Sequence, residues 1–300
     1  MTTNKTDVQA KAPAKKEAIV LEQQYIELYE QHSETIRKHS ATALNIGRDK
    51  AFEKFRKLGF PSSTVENYKY SDFREPLSVD YGLNINRMKF PVNPYNVFKC
   101  DVPGIAAYLY FVVNDAFYPV RTEINNSLPE GVIIGSLRQV AEEHPELVAR
   151  YYGKLAEKQH DGFVAFNGAF AQDGFFIYVP KNVVLDRPVQ IVNIMRSDVD
   201  FMANSHNLVI AEQGAKVQVL VCDHTADDVR FFSNRVTEVF VAENATYEHY
   251  KLENVSRKTT DVSTLLIDQA QNSTVLGNII TLHNGVTRNN VEIELDGENC

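Results

Sequence analysis

The chain has 300 residues with 44% hydrophobic and 23% charged side chains, enough to bury a sizeable core in one large or two moderate domains. Its formal net charge of −8 and pI of about 5.5 argue against nucleic acid or an anionic membrane as the main partner, because both require basic surfaces. No apolar run approaches the roughly 18 residues that span a bilayer.

The N-terminus and the cysteines indicate the compartment. Residues 1–16 are polar and rich in lysine, lack the apolar core of a secretory signal, and are expected to form a disordered tail. The three cysteines lie far apart, at Cys100, Cys222 and Cys300, so a disulfide scaffold is not expected. These features together favour a reducing cytoplasm.

Residues 17–75 are predicted to form an N-terminal helical region. Apolar residues recur at three- and four-residue spacing over 18–44 and again over 49–58. Clustered aromatic residues mostly bury, so those that follow favour packing against the rest of the chain over an exposed docking patch. These aromatic residues are Tyr68, Tyr70 and Phe73.

Residues 76–160 are predicted to form a small α/β region. Short β-branched and aromatic runs predict strands, the Asn-Asp pair at 114–115 predicts a hairpin turn, and helical periodicity follows. The expected elements are a strand at 107–113, its hairpin partner at 118–122, a strand at 132–134 and a helix at 136–157 that breaks at Pro145.

The last predicted region covers residues 161–300, and from residue 163 onward the sequence predicts strands without intervening helices. A small residue after Gly or Asn recurs at intervals of 30, 28 and 27 residues, as expected for stacked coils whose corners take the left-handed backbone conformation. These small residues are Ala215, Ala245, Ser273 and Cys300. The predicted fold class is therefore mainly β with an α-helical N-terminal region, built on a right-handed parallel β-helix. No capping element follows the last repeat, so the β-helix is expected to be incomplete at its C-terminal end.

Four pairs of segments follow one another in an order and spacing that a known family shares. These pairs are 58–61 with 66–71, 111–115 with 128–132, 166–170 with 173–180, and 206–210 with 214–215. Together they resemble the SufB/SufD family of iron–sulfur cluster assembly proteins, SufD more closely than SufB, and they cover most of the chain. The motif positions, which we expect to be structural, are Glu66, Tyr68 (where the family usually has Trp), Lys69, Tyr70, Asn167, Asp173 and Gly174.

The resemblance implies the β-helix fold of that family and a non-catalytic role in a SufBCD-type complex. The implied partners are a SufB-like paralogue, contacted through the β-helix, and a SufC-like ABC ATPase whose binding region is expected beyond residue 300. A homodimer through the β-helix is a further option. An iron–sulfur cluster, with reduced flavin as a second candidate cofactor, is implied for the complex and not for any residue of this chain.

Few residues suggest chemistry of their own. The sequence contains no phosphate-binding loop of the G-x-x-x-x-G-K-[ST] type and no G-x-S-x-G, H-E-x-x-H or C-x-x-C motif. Cys222 and His224 would share one face of a strand and are weak candidates for metal binding. Because metal sites usually need three or four ligands, a buried thiol beside a surface loop is the favoured interpretation. No catalytic and no cofactor-binding residue is predicted.

Two other classes of protein remain as alternatives. A β-helix enzyme acting on carbohydrates outside the cytoplasm would use carboxylates along a groove, and paired acidic residues on adjacent coils are not evident. A purely structural solenoid with an unrelated partner is the other alternative.

Overall fold

The computed structural model describes residues 14–97, 104–118 and 127–300, and its first part consists of one long helix followed by shorter ones. These are α1 (Ala14–Lys38), α2 (Thr42–Asn45), α3 (Arg48–Leu58), α4 (Arg74–Leu77) and α5 (Pro94–Val97), with a 3₁₀ helix at Glu66–Tyr68. The predicted N-terminal helical region is confirmed. The predicted tail lies outside the described residues except for residues 14–16, which open α1, and Cys100 also lies outside them.

The single helix predicted over 18–44 is wrong at its C-terminal end. α1 stops at Lys38, and Ala41 has an extended backbone (φ −87°, ψ 153°) before α2 begins. Ser40 lies in this break, and its hydroxyl accepts a hydrogen bond from Arg48 at 3.1 Å. Serine competes for local hydrogen bonds and so disfavours a helix interior, which helical periodicity alone does not reveal.

In the described part of residues 104–158, the chain forms three strands and a helix pair. The elements are β1 (Tyr108–Val113), β2 (Ala116–Phe117), β3 (Ile133–Ser136), α6 (Leu137–Glu143) and α7 (Pro145–Tyr151), followed by a 3₁₀ helix at Ala156–Lys158. The helix break at Pro145 is confirmed. The hairpin partner of β1 is Ala116–Phe117, two residues before its predicted start, and residues 119–122 lie outside the described part of the chain.

The prediction of strands alone from residue 163 onward is wrong at its start, because α8 (Gly162–Phe170) is a helix. Asp161 caps it by accepting hydrogen bonds from the amides of Phe163 and Val164. Apolar residues lie on all sides of α8, as expected for a fully buried helix, so no amphipathic period was present to detect. It packs against α3 on one side and the β-helix on the other.

Nine further strands complete two six-stranded sheets. They are β4 (Phe175–Val179), β5 (Val189–Met195), β6 (Phe201–Ala211), β7 (Lys216–Thr225), β8 (Phe231–Val241), β9 (Thr246–Asn254), β10 (Thr259–Ala270), β11 (Thr274–His283) and β12 (Val286–Asp296). Sheet A has the order β12-β10-β8-β6-β4-β3 and sheet B the order β11-β9-β7-β5-β1-β2. The pairs from β4 to β12 are parallel and alternate between the sheets, so the predicted parallel β-helix is confirmed. Strands β1 and β3 join the same two sheets as the later strands. The boundary predicted at residue 161, between the small α/β region and the β-helix, therefore lies between strands of one solenoid.

One row of corner residues repeats along the β-helix with left-handed backbone. Their φ angles lie between 56° and 70° at Asn182, Gly214, Asn244, Asn272 and Asn299. The corner amides donate to carbonyls of the following coil, for example Gly214 to Glu243 at 3.0 Å. The small residues that the repeat singled out come directly after the last four of these corners, so the predicted repeat is confirmed.

Two clusters dominate the core. Aliphatic side chains fill the space between sheets A and B, such as Val219, Val239 and Ile267. Aromatic side chains join the helices to the outer face of sheet A, where Phe60 contacts both Phe163 and Phe166 with ring centroids 5.1 and 5.3 Å apart. Among the described residues, no helix is long and apolar enough to cross a membrane.

Candidate functional site

The motif residue Tyr68 joins the helical region to the β-helix. Its hydroxyl donates to Asp161 Oδ2 at 2.6 Å and accepts from Asn290 Nδ2 at 3.3 Å. The Arg288 guanidinium lies 4.0 Å from the centre of the Tyr68 ring. Burial, followed by the charge of Asp161, raises the pKa of Tyr68, so the hydroxyl stays protonated and able to donate.

The other residues of that motif face solvent. Tyr70 is 94% exposed, with Lys69 Nζ 5.7 Å from its ring centre, and Glu66 is also exposed. Tyr68 and Phe73 are buried, so the three aromatic residues of this segment divide between core and surface.

Asn167 belongs to a buried polar network beneath α8. Its side-chain nitrogen donates to the Ser205 carbonyl at 2.8 Å, which fixes the orientation of the amide. Its oxygen lies 2.8 Å from His206 Nδ1, and His206 Nε2 lies 2.8 Å from Glu238 Oε2. Both ring nitrogens of His206 therefore have an oxygen atom of a neighbouring side chain within hydrogen-bonding distance.

Glu238 also holds the connection that follows α7. Its carboxylate accepts hydrogen bonds from the amides of Gly153, Leu155 and Ala156 at 2.6, 2.7 and 3.0 Å. His206 and Glu238 resemble an acid–base pair, but they are 2% and 0% exposed and every polar atom has a partner. The arrangement stabilises the junction of α7, α8 and sheet A and offers no surface to a substrate.

Asp173 and Gly174 lie in the crowded connection between α8 and β4. Asp173 accepts hydrogen bonds from Ser136 Oγ at 2.8 Å and from the Arg138 amide at 3.0 Å, and its Oδ2 lies 3.6 Å from the guanidinium of Arg87. A Cβ atom on Gly174 would lie 1.9 Å from the carbonyl oxygen of His206, so only glycine fits there.

The predicted metal candidates Cys222 and His224 lie on the outer face of sheet B. In the strand register they face Val192 and Ile194, and Cys222 packs with Leu252 in an apolar cluster. Among the described residues the structure brings no third metal ligand to them. The arrangement resembles the interpretation favoured from the sequence, a buried thiol near a loop.

Sequence reasoning missed a charged cluster inside the β-helix. Arg235 Nη1 lies 3.0 Å from Asp223 and 3.1 Å from Asp261, while Lys251 Nζ lies 2.8 Å from both Glu253 and Asp261. Each of these five residues is at most 4% exposed. One signal was present in the sequence, because in β9 the charged residues at 251 and 253 continue the face that carries the buried Tyr247.

The charged residues of this cluster shift one another's pKa values. Burial lowers the pKa of Lys251, but the charges of Asp261, Asp223 and Glu253 outweigh it and the pKa is raised overall. Burial raises the pKa of Asp261, but Lys251 and Arg235 lower it below its usual value. The lysine is therefore an ammonium group and Asp261 a carboxylate at neutral pH.

Two family models together match most of the chain. The model of the SufBD protein N-terminal region matches residues 19–191. The model of the SufBD core domain of SUF-system FeS cluster assembly matches residues 193–300.

Individual relatives match a shorter part. The chain is 31% identical over 138 residues to an iron–sulfur cluster assembly SufBD family protein of Synechocystis, covering 45% of this chain and 28% of that protein. It is 30% identical over 147 residues to the iron–sulfur cluster assembly protein SufD of Bacillus subtilis, covering 47% of this chain and 33% of that protein. The chain thus covers about a third or less of the length of the relatives that it matches.

Proposed function

The chain belongs to the SufBD family of iron–sulfur cluster assembly proteins, and on this premise we propose that it is a SufD-like, non-catalytic subunit of a SufBCD-type complex. The observation that carries the proposal is the pair of family matches. The first covers residues 19–191, which include the helical region and the first strands, and the second covers residues 193–300, which form the rest of the β-helix. The similarity to a protein named SufD favours SufD over SufB.

In this proposal the chain is a scaffold in the cytoplasm. Its β-helix, residues 161–300, binds a SufB-like paralogue, and the helical region (17–75) and the small α/β region (76–160) brace it. A SufC-like ABC ATPase acts on the assembled complex, where the iron–sulfur cluster and any reduced flavin are held. A homodimer through the β-helix is the alternative assembly.

A non-catalytic role agrees with the state of the polar groups. The buried network of His206 and Glu238 satisfies its own hydrogen bonds, and the sequence lacks a phosphate-binding loop. An acid or base that acts on a substrate has to reach it directly or through one water molecule.

The outer face of β11 offers a surface for the proposed paralogue. Leu276, Ile280 and Leu282 lie on one face of the strand and are 45%, 52% and 59% exposed. A row of exposed aliphatic side chains on a flat sheet is typical of a protein–protein contact.

Co-purification tests the proposal. The tagged chain is co-expressed with the SufB-like and SufC-like proteins of its own organism, and the recovered proteins are identified by mass spectrometry. We expect recovery of the SufB-like paralogue, loss of that recovery in Ile280→Lys, and retention in the control Ile46→Lys, where Ile46 is 73% exposed in the helical region. Recovery of neither protein with the unaltered chain would contradict the proposal, and a dimer by light scattering would favour the homodimer.

A further inference from the structure

One buried ammonium group inside the β-helix is surrounded by several oxygen atoms. Lys251 Nζ lies 2.8 Å from Asp261 Oδ2 and 2.8 Å from Glu253 Oε1. Asn289 Oδ1 lies 2.9 Å away and Asp223 Oδ2 lies 3.6 Å away. We call the side chains of Asp223, Glu253, Asp261 and Asn289 the oxygen cage.

The oxygen cage has the donor set of a hard cation. Carboxylate and amide oxygens are the ligands that Mg²⁺, Ca²⁺ and Mn²⁺ prefer. Ligand atoms of the three carboxylates lie within 4.8 Å of one another. The four side chains come from β7, β9, β10 and β12, so both sheets hold the geometry in place.

Two observations beyond the acidic residues point to a cation. The first is the ammonium group itself, which the chain places among the oxygens at hydrogen-bonding distance. The second is Asp223 Oδ2, which is buried and has no hydrogen-bond partner among the described residues, although it faces the Lys251 ammonium.

The cluster also has one more negative charge than positive charge. With Lys251 in place, the three carboxylates face two cations, since Arg235 pairs with Asp223 and Asp261. A divalent ion in place of the ammonium would balance the three carboxylates, and buried charges are stable only when they are paired.

We propose that the oxygen cage is a site for a hard divalent cation that Lys251 fills with its own ammonium group. Lys251 then keeps the interior of the β-helix closed to metal ions. The inference uses only the geometry of this cluster, so it holds or fails independently of the SufBCD-type role.

Binding of Mn²⁺ to variants of the full chain tests the proposal. Lys251→Ala removes the charge and leaves space for an ion, whereas Lys251→Met removes the charge and fills that space. We expect Lys251→Ala to bind one Mn²⁺ per chain, measured by the loss of the free-ion signal in electron paramagnetic resonance. The unaltered chain, Lys251→Met and the surface control Lys258→Met should bind at least about tenfold more weakly, and adding Glu253→Gln to Lys251→Ala should weaken binding about tenfold.

Each remaining outcome counts against the proposal. A folded Lys251→Ala variant that binds no Mn²⁺ would show that its carboxylates take up protons instead. Equal binding by the unaltered chain would show that Lys251 does not exclude the ion. If Lys251→Ala does not fold alone, its refolding yield is measured with and without Mn²⁺, and a yield that Mn²⁺ does not raise would overturn the proposal.

Discussion

At the scale of single residues, two neighbouring tyrosines differ only in their surroundings. Tyr68 is 2% exposed, and its hydroxyl lies between the carboxylate of Asp161 and the amide of Asn290. Tyr70 is 94% exposed and makes no comparable contact in the described part of the chain. Because a hydrogen bond to a charged group contributes more when it is partly shielded from water than when it is fully exposed, the Tyr68 hydroxyl should contribute more to stability than the Tyr70 hydroxyl.

We therefore expect Tyr68→Phe to lower the free energy of unfolding by about 2 kcal/mol. The ring and its contact with Arg288 stay in place, so the change isolates the hydroxyl. Urea unfolding followed by circular dichroism measures the loss. Tyr70→Phe is the matched control, and an equal effect of both substitutions would contradict this account.

The buried charged cluster is a second feature at the scale of single residues, and the sequence alone does not reveal it. In β7 and β9, Asp223 and Lys251 continue the strand faces that carry the buried Val219 and Tyr247, but this pattern does not reveal which charged residues meet. Which of the two faces is the inside depends on how the coils stack, and the cluster forms only when β7, β8 and β9 lie together. The oxygen cage is thus a product of tertiary structure.

At the scale of elements, the corners of the β-helix depend on one backbone conformation. Asn244 has φ of 60°, is exposed, and its amide donates to the Gln271 carbonyl of the next coil at 3.2 Å. Left-handed backbone is accessible to glycine and asparagine and costs other residues about 1–2 kcal/mol, most of all β-branched ones.

Asn244→Val should consequently lower the free energy of unfolding by about 1–2 kcal/mol, and Asn244→Gly should change it by less than about 0.5 kcal/mol. Both substitutions remove the same exposed side-chain amide, so their difference reports the backbone alone. Thermal and urea unfolding of both variants measure it. Equal losses would mean that the asparagine side chain, and not the left-handed turn, stabilises the corner.

These corners explain why the β-helix was predictable and α8 was not. A left-handed turn followed by a small residue is local chemistry, and its spacing survives in the sequence as a repeat at Ala215, Ala245 and Ser273. Residues 162–170 are apolar on every side because helices cover one flank and a sheet the other. Without an amphipathic period, a short buried helix and a short buried strand are equivalent in sequence.

At the scale of the whole molecule, the interior of the β-helix has an apolar part and a polar part. Val217, Val219 and Val221 line the apolar part. His249 belongs to the polar part, which also contains Lys251. It is 6% exposed, and its Nδ1 lies 2.8 Å from the Tyr247 hydroxyl. Burial, followed by the charge of Lys251, lowers the pKa of His249 to about 4. The folded chain therefore holds this imidazole neutral under conditions in which the unfolded chain protonates it.

The direction of the pH dependence follows from that difference. The unfolded histidine has a pKa of about 6.5, so between about pH 6.5 and pH 4 the unfolded state binds more protons than the folded state. The stabilising effect of the neutral histidine is fully present above the unfolded pKa. The free energy of unfolding then falls as the pH drops through this window, by about 3 kcal/mol in total. The effect of Asp261, whose pKa is lowered by its cations, belongs below the ordinary range of aspartate. Burial raises the pKa of Asp115, so its proton uptake in the folded chain acts in the direction opposite to that of the histidine.

His249→Gln should flatten the stability profile between pH 6.5 and pH 4, because glutamine keeps a hydrogen bond to Tyr247 and cannot titrate. Urea unfolding at half-unit steps of pH compares this variant with the unaltered chain and with His160→Gln, a substitution at an exposed histidine. The control should keep the full slope. If His249→Gln retains the same slope as the control, proton uptake at another buried group governs acid unfolding, and the polar part of the interior is more open to water than its burial implies.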